Sequence, residues 1–300
     1  MKAKGYFFAI LSAVSYGLIP LFAIPLKSVD MSFDTVLFYR FFLGAAMIGL
    51  YLIATRTDLR VSGKELLSLM LLGLMFALSS TCLFLGYDYL SAGVASTILF
   101  MYPVFVALIM AVFFREKLSW TTGVAIILAT GGVGMLSMKE DSFEINVPGL
   151  IIVLLSALFY ALYIVLVNQS KVKKMSGAKI TFYSMFFCSM FFLIKSLAGG
   201  NSLAIPSLSS AGLITLFAFV TTTISCITLV YAIQYIGSTP TSILGALEPV
   251  VAVCVSVVLF HEAFTTNLLL GIVLIIVAVI LNILSEPIQK ALRIRAKKIK

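Results

Sequence analysis

Charge is scarce in this 300-residue chain. Only 11% of its residues are Asp, Glu, Lys or Arg against 61% hydrophobic ones, and the mean hydropathy is +1.14. A water-facing surface has roughly a quarter to a third of its residues charged, so a soluble globule is excluded and the chain belongs to the integral membrane class. Histidine is nearly missing: His261 stands alone beside Glu262, with no second His or nearby Cys. A metal centre needs several such ligands and a His-based triad needs a convergent acid and nucleophile, so neither metal ligands nor catalytic residues are expected. The four cysteines, Cys82, Cys188, Cys226 and Cys254, fall inside apolar runs without metal-type spacing and read as small packing residues. No cofactor is implied, and an enzyme is not expected.

Long apolar runs are what the chain has instead. Crossing about 30 Å of hydrocarbon at 1.5 Å per residue takes about 20 residues. Ten such segments fit end to end, at 5–25, 34–54, 66–87, 93–114, 119–138, 148–168, 177–197, 211–235, 240–260 and 266–285; they are called spans 1 to 10. The first is too long for the core of a signal peptide and carries no evident cleavage site, which makes it a span.

The net charge of +9 suggests an acidic partner until its distribution is read. With the N-terminus inside, 17 of the 21 Lys and Arg fall in cytoplasmic connections and tails, against Lys27, Lys139 and Lys195 outside and Arg40 within span 2. The positive-inside rule then puts both termini in the cytoplasm, in the cell membrane. The basic tail 286–300 reads as a topology signal beside anionic lipid rather than a nucleic-acid arm, so no nucleic acid partner is expected.

The stretch 88–116 returns at 234–262 with seven identities in 29 positions, among them Tyr89/Tyr235, Pro103/Pro249 and Glu116/Glu262. Residues 5–23 match 149–167 at an offset of 144, pairing Ser12 with Ser156 and Tyr16 with Tyr160. Phe38-Tyr39 against Phe182-Tyr183 and Cys82 against Cys226 keep that offset, which becomes 146 over the later stretch, as one two-residue insertion would produce. Blocks agreeing in one order mean a tandem duplication: a first unit at 1–144 and a second at 145–300. Each unit holds five spans, an odd number, so the second enters the bilayer upside down. The expected fold is all-α, ten transmembrane helices as two inverted five-helix repeats.

Several residues stand out against this apolar background. Pro103 and Pro249 lie inside apolar runs, each removing the amide partner of the carbonyl four residues earlier, Leu99 or Gly245, so spans 4 and 9 read as broken helices beside a cavity. Pro20 and Pro25 are expected to bend and then end span 1. Glu248, directly before Pro249, is a membrane-embedded acid whose repeat partner is Tyr102; function, including proton binding, is favoured over a structural role. Arg40 leaves two readings: snorkelling or pairing with Asp34 or Asp88, or a place on the solute path. Ser79, Ser80 and Thr81 recur as Thr223, Ile224 and Ser225, with Thr221 and Thr222 preceding. They either satisfy their own helix carbonyls or line a polar cavity. Tyr16 and Tyr160 flank stripes of small residues (Ala9, Ala13, Gly17; Ala157, Ala161) that suit close helix packing. Gly131, Gly132 and Gly134 suit packing too, including between subunits of a homo-oligomer. Glu116 and Glu262 read as caps of short turns.

These residues resemble the EamA family of the drug/metabolite transporter superfamily. The likeness is carried by LSAVSYG at 11–17 with LSALFYA at 155–161, the arginine of FYRFFLGAA at 38–46, YLSAGVASTILFMYP at 89–103 and SILGALEPVVAVCVSVVLFHE at 242–262. The resemblance implies a ten-helix basket round a central cavity, with spans 5 and 10 peripheral. Many relatives have a glycine before the acid ending span 4; here Arg115 and, at the matching place, His261 stand instead. The expected function is a secondary transporter or exporter of small polar metabolites, foremost amino acids, by alternating access, with proton coupling through Glu248. The cavity candidates are Tyr16, Arg40, Ser79, Tyr102, Tyr160, Thr223 and Glu248, and the partners are a small solute and the lipid bilayer. Two alternatives stay open: a carrier of nucleosides, sugar conjugates or lipophilic drugs, and a non-transport scaffold or receptor.

Overall fold

Serine marks where several of the helices begin. Ser32, Ser62, Ser176 and Ser207 each accept, through Oγ, the amide N–H three residues on, at 3.2, 3.4, 3.3 and 3.1 Å. Each satisfies a helix-end donor that has no partner within its own helix. The computed structural model describes residues 2–27, 31–86, 88–90, 95, 98–136, 147–259 and 265–298; for Pro20, Ala23, Ile24, Lys27, Ser256 and 285–298 it describes the backbone alone. His261, Glu262, the connection 139–144 and Ser96 lie outside the described residues.

Span 1 is α1 (Lys2–Gly17) with α2 (Ile19–Lys27), span 2 is α3 (Phe33–Ala54) and span 3 is α4 (Gly63–Gly86). α5 (Tyr102–Phe114) belongs to span 4, and span 5 is α6 (Trp120–Leu136). The second half follows with α7 (Val147–Gln169), α8 (Gly177–Ala198), α9 (Leu208–Ala218), α10 (Ser225–Ile236), α11 (Ser238–Leu244), α12 (Leu247–Leu259) and α13 (Thr266–Lys298). A π turn at Phe219–Ile224 joins α9 to α10 within span 8, and α11 and α12 together make span 9. The end at which span 1 starts is called proximal and the other distal.

The halves interlock antiparallel. Span 1 packs on span 8 and span 6 on span 3, span 2 lies along span 7, and spans 5 and 10 pack chiefly on each other at the edge. Equivalent contacts recur at both ends. A side-chain carbon on Gly5 would meet Ile236 at 2.6 Å and Tyr235 at 2.7 Å; one on Gly149 would meet Tyr89 at 2.7 Å and Leu90 at 2.8 Å. Ser12 Oγ donates to Ser225 O at 2.9 Å while Ser225 Oγ donates to Ser12 O at 3.1 Å, and Ser156 Oγ donates to Ser79 O at 2.7 Å. Tyr39 Oη donates to Leu203 O at 2.7 Å, and Tyr183 Oη to Leu59 O at 2.7 Å. The Phe-Tyr pair repeated in the sequence thus ties each half to the connection of the other.

These pairs relocate the change of register. The caps of spans 2 and 7, Ser32 and Ser176, are 144 apart; those of spans 3 and 8, Ser62 and Ser207, are 145 apart. Beyond the π turn Ser79 and Ser225 are structural equivalents, 146 apart. The expected single insertion of two residues is therefore two insertions of one: the first before the start of span 8, the second in the π turn inside it. A π turn is how a helix absorbs an extra residue without breaking.

The prolines also act differently from expectation. Span 1 breaks at Leu18, and Pro25 lies inside α2 rather than ending it. Pro103 and Pro249 sit in the first turns of α5 and α12, where a missing N–H costs nothing. The breaks precede them, and Gly245 O is not orphaned: Glu248 N–H donates to it at 2.9 Å. The outer surface is apolar, with Phe113, Ile127 and Leu50 at 75%, 72% and 68% exposure, as lipid contact requires. Inside, Phe41, Phe76, Tyr163 and Phe192 are fully buried in one core shared by both halves.

Candidate functional site

Tyr16, Arg40, Tyr102, Tyr160 and Glu248 come together where the broken spans meet. Arg40 is 4% exposed, on the eighth residue of α3, and neither snorkels nor pairs with Asp34. Asp34 is held instead by Lys195 Nζ at 2.8 Å. Arg40 Nε donates to Thr222 Oγ1 at 3.0 Å and Nη2 to Thr221 O at 3.3 Å. Its guanidinium carbon lies 4.6 Å from the Phe217 ring centre and 5.3 Å from those of Tyr16 and Phe41. A bare cation at this depth costs several kcal/mol, and each ring face returns about 0.5–2 kcal/mol. Among the described residues no carboxylate pairs with it.

Glu248 is half-buried on the first turn of α12. Its carboxyl acts electrostatically on the Tyr16, Tyr102 and Tyr160 hydroxyls, and Tyr16 feels Arg40 as well. Among the described residues its side chain has neither a hydrogen bond nor an ion pair. Span 1 approaches this point without a side chain in between: a carbon on Gly17 would lie 2.5 Å from Glu248 O. The small residues Ala9, Ala13 and Gly17 do line the packed face of α1.

Tyr102 is sealed. Its ring is edge-on to Tyr160 at 4.8 Å, and its hydroxyl occupies the place a side chain on Gly245 would take, plugging the break of span 9. Phe76 continues the cluster edge-on to Tyr160 at 5.9 Å and to Tyr163 at 5.1 Å.

Ser79 and Thr223 stand apart from the charged group. Ser79 is clasped to Ser156, while Thr223 Oγ1 turns to Gly44 O at 3.5 Å. On span 8 the residues that touch Arg40 are Thr221, Thr222 and Phe217. The run of three threonines signals them in the sequence, but α-helical phase alone points the wrong one inward because the π turn rotates the face.

A cavity of about 70 Å³ opens beside Arg40, lined by Ile19, Leu26, Val36, Leu37, Phe84 and Phe217. At about 30 Å³ per water it holds a pair of waters or a carboxylate group. Ligand pockets run to about 300–1,000 Å³, so this cavity is smaller than a bound metabolite needs.

Antiparallel repeats, broken spans meeting at the centre and two unlike charges held there without charged partners among the described residues are the architecture of a multi-pass membrane transporter. The chain belongs to the EamA-like transporter family, which matches residues 3–138 and again 147–284. It is 24% identical over 235 residues to the uncharacterized transporter YdfC of Bacillus subtilis, covering 78% of this chain and 76% of that one. It is also 25% identical over 210 residues to YvbV of the same organism, an uncharacterized transporter as well, covering 69% and 68%. A solved crystal structure at 14% identity shares the fold with a TM-score of 0.79, covering 93% of this chain and 96% of the other.

Proposed function

We propose that this transporter carries zwitterionic metabolites, foremost amino acids, outward across the cell membrane by alternating access. The carboxylate docks at Arg40, the ammonium at Glu248, and Tyr16 lies against both. The single observation behind this reading is that a buried cation over the Tyr16 ring and an acid whose backbone closes on the neighbouring Gly17 both lack an oppositely charged partner among the described residues. A ligand bearing both charges supplies the missing partner to each, and each such charge-assisted bond strengthens in a site that excludes water. Tyr102, Tyr160, Ser79 and Thr223 form or brace the walls, the units 1–144 and 145–300 move against each other, and both termini face the cytoplasm.

The test is uptake and counterflow in liposomes of the full chain with labelled L-amino acids. Flux should be competed by free amino acids, but neither by their carboxamides nor by the corresponding acids without the amine. Absence of flux for a broad panel, with folding verified, overturns the reading. Glu248→Gln should lower flux without altering assembly, and a wild-type flux that stays constant across a pH series removes proton coupling. Labels at Lys139 and Lys174 should react from opposite sides of the bilayer.

A further inference from the structure

The sharpest local difference between the halves is one turn of helix. Span 8 contains the π turn Phe219–Ile224, whereas span 3 runs as an unbroken α-helix. Packed against that turn is Arg40, whose counterpart 144 residues on is Ser184, folded back onto Ile180 O at 2.8 Å. The wide turn and the arginine thus occur on opposite halves and meet each other. π turns are rare and concentrate at functional sites.

Thr222 engages span 2 through both branches of its side chain. Its hydroxyl accepts from Arg40 Nε at 3.0 Å. Its methyl fills the space above Gly44, where an added side-chain carbon would lie only 2.7 Å away. Thr221 O takes Nη2 at 3.3 Å. The guanidinium also reaches the Tyr16 hydroxyl and borders the small cavity that Arg40 lines. The three rings round the guanidinium attract a cation without fixing the direction of its N–H groups. Direction is what a bidentate carboxylate contact requires.

We propose that Thr222 is a positioning residue that makes Arg40 a carboxylate-specific fork, and that the π turn exists to bring Thr222 Oγ1 and Thr221 O to it. This rests on Arg40 being the carboxylate site. Thr222 selects the solute through Arg40 and does not touch it.

Thr222→Val keeps the shape and removes the acceptor; Thr222→Ser keeps the acceptor and removes the methyl. The readout is thermal stabilisation of the purified full chain by L-amino acids and by their carboxamides. Wild type should prefer the acids. Thr222→Val should lose about tenfold in affinity for them, the worth of one hydrogen bond to a charged group, with the carboxamides unchanged and Thr222→Ser close to wild type. Arg40→Lys keeps the charge without the fork and should show the same loss of preference, which maintains the test if Thr222→Val misfolds. A preference retained in Thr222→Val or in Arg40→Lys, or one lost equally in Thr222→Ser, overturns the positioning role alone. A wild type indifferent to the carboxylate overturns both this role and the reading of Arg40.

Discussion

Two quarters of the molecule occupy equivalent places about the repeat axis and hold different chemistry. Tyr16, Arg40 and Glu248 correspond to Tyr160, Ser184 and Tyr102. Tyr160 packs against the rings of Tyr102, Phe76 and Tyr163, and Tyr102 and Tyr160 are only 2% and 7% exposed. Tyr16 instead lies under the Arg40 guanidinium, and the next residue, Gly17, closes on the backbone of Glu248. The two copies supply equivalent walls, yet the first keeps an arginine where the second has Ser184, and the second keeps an acid where the first has Tyr102. Charge inside a membrane is costly, so it persists where something uses it.

Replacing the charge tests that contrast most strongly. Arg40→Gln should cut amino-acid flux about a hundredfold, in keeping with the loss of one partner of a buried charged contact, while Ser184→Ala should change it less than about twofold. Equal effects at the two equivalent positions, measured in liposomes with matched protein incorporation, would erase the distinction between site and seal.

The seal itself is next. Gly245→Ala drives a methyl into the Tyr102 hydroxyl and should cost about 1–3 kcal/mol, read as a lowered thermal midpoint. Tyr102→Phe removes that hydroxyl and should restore most of the loss in the double variant. An additive pair would mean that Tyr102 does not plug the break.

The serine clasps sharpen the symmetry. Ser12→Ala and Ser156→Ala each remove a buried inter-helix hydrogen bond and should each cost about 1 kcal/mol. A large inequality between them would show that the two interfaces are not equivalent.

The smallest effect is expected at Glu116, in the connection after α5. Burial raises its carboxyl above the ordinary value, so the folded state holds that proton more tightly than the unfolded chain does. The stability this contributes is fully present below the unfolded pKa and is lost as pH rises through the folded one. Glu116→Gln should flatten that part of the stability profile without changing flux, as read from thermal midpoints across a pH series.

Much of this architecture is legible in residue order. Ser12 and Ser156 lie in matching blocks, Tyr39 and Tyr183 in matching pairs, and an odd number of spans between them forces inversion. What was not legible is rotation about a helix axis. The expected pairing of Ser79 with Thr223 fails because one extra residue before span 8 and another in the π turn move the register on by two, so Ser79 matches Ser225, and Thr222, rather than Thr223, reaches Arg40. Arg40 itself looked free to snorkel because depth along a helix is countable from sequence, while the acceptors waiting on another helix are not.

Sequence alone determined the class, the number of spans and the antiparallel doubling, because hydrophobic length and an odd repeat are one-dimensional quantities. Only the tertiary structure decided which hydroxyl holds the arginine and which tyrosine fills the broken span. Those outcomes depend on the phase and closeness of helices far apart in the chain, fixed by packing across the interface between the two halves.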